Sequence, residues 1–335
     1  PTAMPETPPP SPVRLPLDAR AAGTMIALTA VWGMQQVAIK LAAPTLPLVL
    51  QASIRSAVAT VLVLAWARSR GIALVGRDGT LVPGLAAGML FGAEFAFIYA
   101  GLAHTTAARM VVLLYLAPCF TAIGLAWLVP GEHLAARQWF GIGIAFAGTA
   151  FAFADGFASP GAPTLAGDAM ALAGAGFWAA TTVLIRASRL ARASATKTLA
   201  YQLAVSAVLL AIVSAALRES WSIAPAPMAW ASLAFQSVVV AFASYLAWFW
   251  LLTRYLASRL SVFSFATPLF GVAFAHLVLG ETISARFALA ALLVARLILS
   301  LVTRVVRAVG SLGIVPGLAS LRVLVPVVPE LAPRP

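Results

Sequence analysis

Long apolar runs separated by short polar stretches dominate this chain of 335 residues. A helix needs roughly 20 mostly apolar residues to cross a membrane core of about 30 Å. By this measure the sequence predicts ten spans, at residues 20–40, 47–66, 81–102, 105–128, 134–154, 167–187, 196–217, 228–252, 259–279 and 284–303. The connecting loops are short, so we expect an all-α integral membrane protein without a soluble domain.

Composition agrees with this interpretation, since 62% of the residues are hydrophobic and only 10% are charged. Soluble domains carry about 25% charged residues. The net charge of +12 does not indicate a nucleic-acid partner, because the basic residues lie in short loops between spans. The single cysteine, Cys119, excludes an internal disulfide. We expect no cofactor and no metal, with a small-molecule substrate and the lipid bilayer as partners and a monomeric or weakly homo-oligomeric chain.

The distribution of Lys and Arg predicts the orientation. With the N-terminus in the cytoplasm, 16 basic residues lie inside, four lie outside (Lys40, Arg109, Arg218 and Arg286) and two lie within spans. Both termini are therefore expected to be cytoplasmic. Residues 1–19 are rich in proline and are expected to form a disordered arm without a signal peptide. The sequence assigns no role to residues 304–335.

The two halves of the chain resemble each other. "HTTAARMVVLLYLAPCF" from His104 aligns without gaps on "RYLASRLSVFSFATPLF" from Arg254, and "WGMQQVAIK" from Trp32 aligns on "WAATTVLIR" from Trp178. Each repeat, at 20–154 and 167–303, holds five predicted spans. Because five is odd, the second repeat must lie upside down in the membrane. Inverted repeats are typical of secondary transporters.

These motifs, together with "GEHLAARQWFGIGIAFAG" and "SRLSVFSFATPLFGV…LGETIS", resemble the drug/metabolite transporter superfamily, in particular its ten-span EamA type. The resemblance extends from about Thr24 to Thr303. It implies a bacterial inner-membrane exporter of amino acids, other metabolites or drugs, coupled to ion or substrate gradients. The chain departs from the pattern at Arg296, which interrupts span ten, and in its C-terminal tail. That tail is interpreted as an interfacial segment or a frameshift product.

Two charges inside the apolar spans are the leading functional candidates. By helix rise, Glu94 lies about 10 Å and Arg55 about 12 Å below the outer face. Each is costly in lipid alone, and an opposite charge offsets the cost. One interpretation is a static salt bridge between spans two and three. The other is a functional pair that binds a charged or zwitterionic metabolite, with Glu94 carrying a coupling proton. A third is that the two never meet.

Further polar and aromatic side chains are expected around a midplane cavity bordered by spans one, three, four, six, eight and nine. The candidates for substrate contact are Trp32, Gln36, Tyr99, Trp178, Ser244, Tyr245 and Trp248. Packing is the alternative for the tryptophans, and helix-to-helix hydrogen bonding is the alternative for Gln36 and Gln51. Pro118 and Pro268 are interpreted as hinges or simple kinks.

Other residues are assigned structural roles. Glu132 and Glu281 are expected to offset the free amides at the starts of spans five and ten. Spans five and ten are expected at the periphery, with Gly141, Gly143 and Gly148 allowing close contact.

A membrane-embedded enzyme is a competing interpretation. The sequence contains no H-E-x-x-H, G-x-S-x-G or P-loop motif, and its histidines lie far apart, so we expect no catalysis. A channel is the other alternative, although an inverted repeat favours a carrier. The sequence does not identify the substrate or the direction of transport.

Overall fold

The structure is a computed structural model that describes residues 18–128, 162–221, 226–255 and 266–283, together with residues 260, 263, 264, 285 and 289. Its α-helices are α1 (Ala19–Ala42), α2 (Leu48–Ser69), α3 (Leu81–Gly101), α4 (Ala107–Leu114), α5 (Ala117–Leu128), α6 (Ala162–Ala187), α7 (Ala195–Ala216), α8 (Pro227–Ala234), α9 (Tyr245–Arg254) and α10 (Thr267–Leu279). A π-helical segment, Phe235–Ser244, joins α8 to α9 without a break, and a 3-10 turn, Arg189–Arg192, follows α6.

Within these described ranges, seven helical stretches are long and apolar enough to cross a membrane. They correspond to predicted spans one to four and six to eight, and α10 forms the described part of span nine. The predicted arm up to residue 17, Glu132, the three span-five glycines, Arg296 and the tail from residue 304 lie outside the described residues, as do nearly all of spans five and ten.

Short polar side chains start several of the helices. Asp18 accepts a hydrogen bond from the Ala21 amide at 2.7 Å, Thr106 accepts one from the Arg109 amide at 3.1 Å, and Ser194 accepts one from the Lys197 amide at 3.2 Å. Each bond satisfies an amide that has no partner within its own helix. The starts of α1, α4 and α7 are therefore fixed by local sequence.

Helices α2 and α7 lie side by side and run antiparallel. Glu219, just beyond the end of α7, binds the first amides of α2, while Asp78, beyond the end of α2, binds Lys197 in the first turn of α7. Their buried positions also match one by one, at 49–53, 55, 56, 59, 63 and 67 in α2 and at 196–200, 202, 203, 206, 210 and 214 in α7. Equivalent helices of the two repeats thus bury the same face in opposite directions.

Glycines bring α3 close to α7. A Cβ added at Gly84 would lie 2.5 Å from the Tyr201 ring, and one at Gly88 would lie 2.5 Å from Cβ of Val205. Larger side chains would push the helices apart, so glycine is required for this packing. The contact places the middle of α3, including Glu94, inside the helix bundle.

Spans four and eight depart from regular α-helix. Span four is interrupted between Leu114 and Ala117, directly before Pro118, which has no backbone N–H to continue the ladder. Span eight is π-helical from Phe235 to Ser244. Such π segments are frequent at functional sites. Pro268 lies in the first turn of α10, where proline is tolerated.

Candidate functional site

Arg55 is fully buried, with 0% of its surface exposed, in the middle of the bundle. Its guanidinium stacks on the Phe95 ring at 4.1 Å from the ring centroid, and its Nη2 donates a long hydrogen bond of 3.4 Å to the Tyr245 hydroxyl. Nε and Nη1 have no hydrogen-bond partner among the described residues. A cation–π contact is worth about 2 kcal/mol when desolvated, whereas burying an ion costs several. The edge of the guanidinium therefore has unused donors.

Glu94 lies near Arg55 but does not pair with it. The carboxyl is 6% exposed, and Arg55 acts on it electrostatically. In the described part of the chain, no hydrogen bond or salt bridge joins the two groups. Glu94 also acts electrostatically on Tyr115 and Tyr245, so these side chains share one region. The shared depth expected from helix rise agrees with this proximity.

A second cluster contains three of the expected residues. The Trp32 indole N–H donates to Ser244 Oγ at 2.8 Å, and its ring meets Trp248 edge-on with centroids 5.8 Å apart. Ser244 Oγ in turn donates to the Val240 carbonyl at 2.6 Å within the π segment. Because Ser244 and Tyr245 are adjacent in the chain, this cluster joins the surroundings of Arg55.

Tyr99 belongs to a separate hydrogen-bond network that the sequence did not indicate. Its hydroxyl donates to Gln236 Oε1 at 2.5 Å, and Gln236 Nε2 donates to Gln51 Oε1 at 3.2 Å. Gln51 Nε2 donates to the Leu46 carbonyl at 2.9 Å in the loop between α1 and α2. The role expected for Gln51, hydrogen bonding between helices, agrees with these contacts. In the sequence, the two polar residues of "FQS" at 235–237 are too short a signal to reveal the role of Gln236.

The remaining candidates lie around the same core. Trp178 packs edge-on against Tyr115, with ring centroids 5.4 Å apart. Gln36 is buried on α1, and its Oε1 has no partner among the described residues. Helix α2 therefore also contributes a side chain to this region, Arg55, in addition to the expected spans one, three, four, six and eight.

Two carboxylates, Glu219 and the buried Asp168, join helix ends to each other, a feature that sequence reasoning missed. Glu219 accepts hydrogen bonds from the Val49 and Leu50 amides at 3.0 and 2.9 Å. Asp168 binds Arg109 through two parallel contacts and also accepts from Thr105 Oγ1 at 2.7 Å. Glu219 lies in the loop after α7, and Asp168 lies in the first turns of α6.

Glu281 makes a contact that the sequence does not predict. Its carboxylate accepts hydrogen bonds from the first amides of α4, Ala107 at 2.8 Å and Ala108 at 3.0 Å, with Lys40 Nζ 3.9 Å away. A carboxylate at this place stabilises the N-terminus of α4. The role expected for Glu281 at the start of span ten stays a prediction, because nearly all of that span lies outside the described residues.

The described residues contain no group of three or more His, Cys, Asp or Glu side chains that could hold a metal ion. The arrangement instead offers a buried cation with free donors, a carboxylate nearby and a ring of aromatic and hydroxyl groups. These are features of a polar binding site inside a membrane protein.

Comparisons with known proteins agree with this description. A solved structure described as "Crystal structure of protein" has the same fold, with a TM-score of 0.61 and 21% identity over 86% of this chain and 99% of the other. A search of curated proteins finds no match. The EamA-like transporter family matches at residues 20–154 and 165–303, close to both repeats inferred from the sequence. This chain is therefore a multi-pass membrane protein that belongs to the EamA-like transporter family.

Proposed function

We propose that the protein exports amino acids or closely related zwitterions across the bacterial inner membrane, and that Arg55 binds their carboxylate. The unpartnered donors of the buried Arg55 are the observation that carries the proposal. A guanidinium binds a carboxylate through two parallel hydrogen bonds. Phe95 covers only the face of the guanidinium, so its edge remains available to such a ligand.

Glu94 supplies the opposite charge for a zwitterion. It lies in the field of Arg55 without pairing with it, so a bound amino acid can place its ammonium near Glu94 and its carboxylate on Arg55. Glu94 is also the group that exchanges a proton in this scheme. When no ammonium is present, an ionised carboxylate in the bundle is costly, and protonation removes that cost.

Transport by alternating access follows from the arrangement of the helices. Ten spans in two inverted repeats, with both termini in the cytoplasm, would place Arg55 near the pseudo-twofold axis. The antiparallel pair α2 and α7 supports this architecture. Reporter fusions after Arg70 and Arg192 are expected to read as cytoplasmic, and a periplasmic signal from either would refute the orientation.

Counterflow in proteoliposomes tests the proposal. Proteoliposomes that contain the purified protein are loaded with an unlabelled amino acid, and uptake of the labelled amino acid is then followed. The proteins compared are wild type, Arg55→Gln, Glu94→Gln and Arg70→Gln. Arg70 directly follows the last residue of α2, stacks on Trp66 and provides the matched control. We expect Arg55→Gln to reduce counterflow by about 10- to 100-fold, because a hydrogen bond to a charged group contributes about 1.5–3 kcal/mol.

Glu94→Gln separates binding from coupling. It is expected to weaken transport of zwitterions, to spare simple monocarboxylates and to abolish the pH dependence. Unchanged counterflow in Arg55→Gln would place the substrate site elsewhere. Large unitary currents instead of saturable counterflow would identify a channel.

A further inference from the structure

A cleft lies at the end of α3 opposite to the Glu94 region, where the loop before α3 meets the turn after α6. Its volume is about 540 Å³. Its lining residues are Gly79, Pro83, Ala187, Ser188, Arg189 and Arg192. In the proposed orientation this is the cytoplasmic surface of the membrane. We propose that this cleft binds the phosphate headgroup of an anionic phospholipid from the inner leaflet.

The cleft carries uncompensated positive charge. Arg189 and Arg192 are exposed, and neither forms a hydrogen bond or salt bridge from its side chain to another described residue. The carboxylate beside the cleft, Asp78, is already occupied, because it accepts from Lys197 Nζ at 2.7 Å and from Thr80 Oγ1 at 2.6 Å. Two guanidiniums without a carboxylate partner favour an anion with several acceptor oxygens, such as a phosphate.

Gly79 leaves room for one of the two arginines. The Arg189 guanidinium lies so close to the Gly79 backbone that a Cβ there would overlap Nη1. Gly79 also has a φ of 70°, a left-handed conformation that glycine adopts without strain. Arg189 thus lies against the cleft floor, in contrast to a freely extended side chain in solvent.

An apolar surface continues from the cleft along α3. Leu81, Val82, Leu85 and Met89 are 58%, 76%, 45% and 49% exposed and lie at helical spacing on one side of the helix. Pro83, in the same first turn, lines the cleft itself. A molecule with a phosphate at one end and acyl chains at the other would meet both surfaces. This continuity favours a phospholipid over a soluble anion, and basic sites between cytoplasmic helix ends are suited to such headgroups.

Lipid retention by the purified full-length protein tests the proposal. Native mass spectrometry would compare phosphatidylglycerol with phosphatidylcholine, which has the same acyl chains and no net charge. The cleft variant carries both Arg189→Gln and Arg192→Gln. The control variant carries both Arg68→Gln and Arg70→Gln. The control removes the same charge from exposed arginines at the corresponding end of α2. We expect wild type and control to prefer phosphatidylglycerol about 10-fold, and the cleft variant to lose that preference.

The outcomes distinguish the alternatives. Equal loss in both double variants would indicate general charge attraction and overturn the proposal. Inorganic phosphate that displaces phosphatidylglycerol at low concentration would identify a soluble-anion site instead.

A third variant, Gly79→Ala, displaces Arg189 but keeps its charge, and we expect it to weaken the preference for phosphatidylglycerol. Thermal unfolding of each variant without added lipid controls for folding. If both cleft variants keep the preference, the site is refuted. The assay uses no transport substrate, so its result is independent of the proposed function.

Discussion

A guanidinium has five N–H donors, and the contacts of Arg55 use few of them. The Phe95 ring stacks on the flat face of the guanidinium, and Nη2 donates a hydrogen bond of 3.4 Å to the Tyr245 hydroxyl. A purely structural buried arginine is normally satisfied by carboxylates or carbonyls, as Arg109 is by Asp168. The contrast between these two arginines supports the binding role proposed for Arg55.

Lysine at position 55 tests whether the planar guanidinium, with its paired N–H donors, is required. Arg55→Lys keeps the positive charge but replaces paired donors with a single ammonium, which cannot form two parallel bonds to a carboxylate. We expect the KM for counterflow to rise by about 10-fold or more, with the protein still folded. An unchanged KM would mean that only charge matters at this position.

The Trp32–Ser244 hydrogen bond allows a double-mutant cycle. Trp32→Phe and Ser244→Ala each remove one partner of the 2.8 Å bond between α1 and span eight. We expect a coupling energy of about 0.5–1.5 kcal/mol in the free energy of unfolding, measured by denaturant titration in detergent. Strictly additive effects would show that the bond does not stabilise the fold.

Helix rise predicts a similar depth for Arg55 and Glu94 but does not predict their partners. Their electrostatic interaction in the structure agrees with this proximity, and their depth in a membrane stays a prediction. The stacking of Arg55 on Phe95 depends on the rotation of α2 against α3, which hydrophobicity cannot supply, because both helices are apolar on nearly every side.

Among the elements, α2 and α7 form a unit that is fastened at both ends. Glu219 holds the start of α2, and Asp78 holds the start of α7 through Lys197. The two contacts are related by the repeat, since each comes from the loop that follows the partner helix. A pair linked at both ends is expected to move as one body.

Removal of the Glu219 carboxylate should loosen the start of α2. In Glu219→Ala the Val49 and Leu50 amides lose their acceptors, and the local N-cap, Pro47, offers no side-chain replacement. We expect faster amide exchange in a peptide covering residues 47–53, equivalent to a loss of about 1–2 kcal/mol of local stability. Protection that matches wild type would indicate that other groups satisfy these amides.

The Asp78–Lys197 contact should depend on pH. The Lys197 ammonium, which donates to Asp78, holds the pKa of that carboxyl well below its usual range. A carboxyl whose pKa is lowered by folding stabilises the protein above its unfolded pKa, about 3.9, and this contribution disappears as the pH falls through the folded value. The Asp78 side chain is 47% exposed, so the effect is expected to be small.

Thermal unfolding of wild type and Asp78→Asn from pH 7 to pH 3 provides the measurement. Wild type should unfold at the higher temperature from pH 7 down to about 4, and the difference should shrink below that pH. A difference that grows on acidification would contradict the assignment.

Local sequence explains the regular helices better than the irregular ones. The break before Pro118 was signalled by the proline itself. The π segment Phe235–Ser244 has no such signal, because "FQSVVVAFAS" contains neither proline nor glycine. In this conformation Gln236 forms a hydrogen bond with Tyr99, and Ser244 forms one with Trp32. Tertiary hydrogen bonds therefore stabilise a π-helical conformation that helix propensity does not predict.

At the scale of the whole molecule, the repeat was the most informative feature of the sequence. It predicted two homologous halves, which the family match confirms. It did not predict which loop carboxylate binds which helix, because Glu281 lies far from α4 in sequence and meets it only through packing of the two halves. Long-range pairing of this kind requires the tertiary arrangement.

In the described part of the molecule, hydrogen bonds join α1 to span eight at both ends of the bundle. On the inner side in the proposed orientation, the Tyr255 hydroxyl donates to Asp18 at 3.0 Å and joins the end of α9 to the start of α1. On the outer side, Ser232 donates to the Ala38 carbonyl and joins α8 to α1. If the protein exports its substrate as proposed, we expect α1 and α9 to separate when substrate enters and α2 and α7 to stay together.

Two engineered cross-links distinguish the moving contact from the fixed one. In a Cys119→Ala background, one variant carries Asp18→Cys with Tyr255→Cys, and the other carries Ser53→Cys with Ala207→Cys. Ser53 Oγ donates to the Ala207 carbonyl at 2.9 Å, so the second pair joins α2 to α7. Each pair is linked by a short cleavable thiol reagent, and counterflow is measured before linking, after linking and after reduction.

We expect the α1–α9 link to abolish counterflow and reduction to restore it, because substrate cannot enter while the inner ends are joined. The α2–α7 link is expected to leave at least half of the activity, since that pair is already held at both ends by Glu219 and Asp78. Full block by the α2–α7 link would show that the paired helices must separate during transport. Full activity with α1 and α9 linked would place the inner opening between other helices.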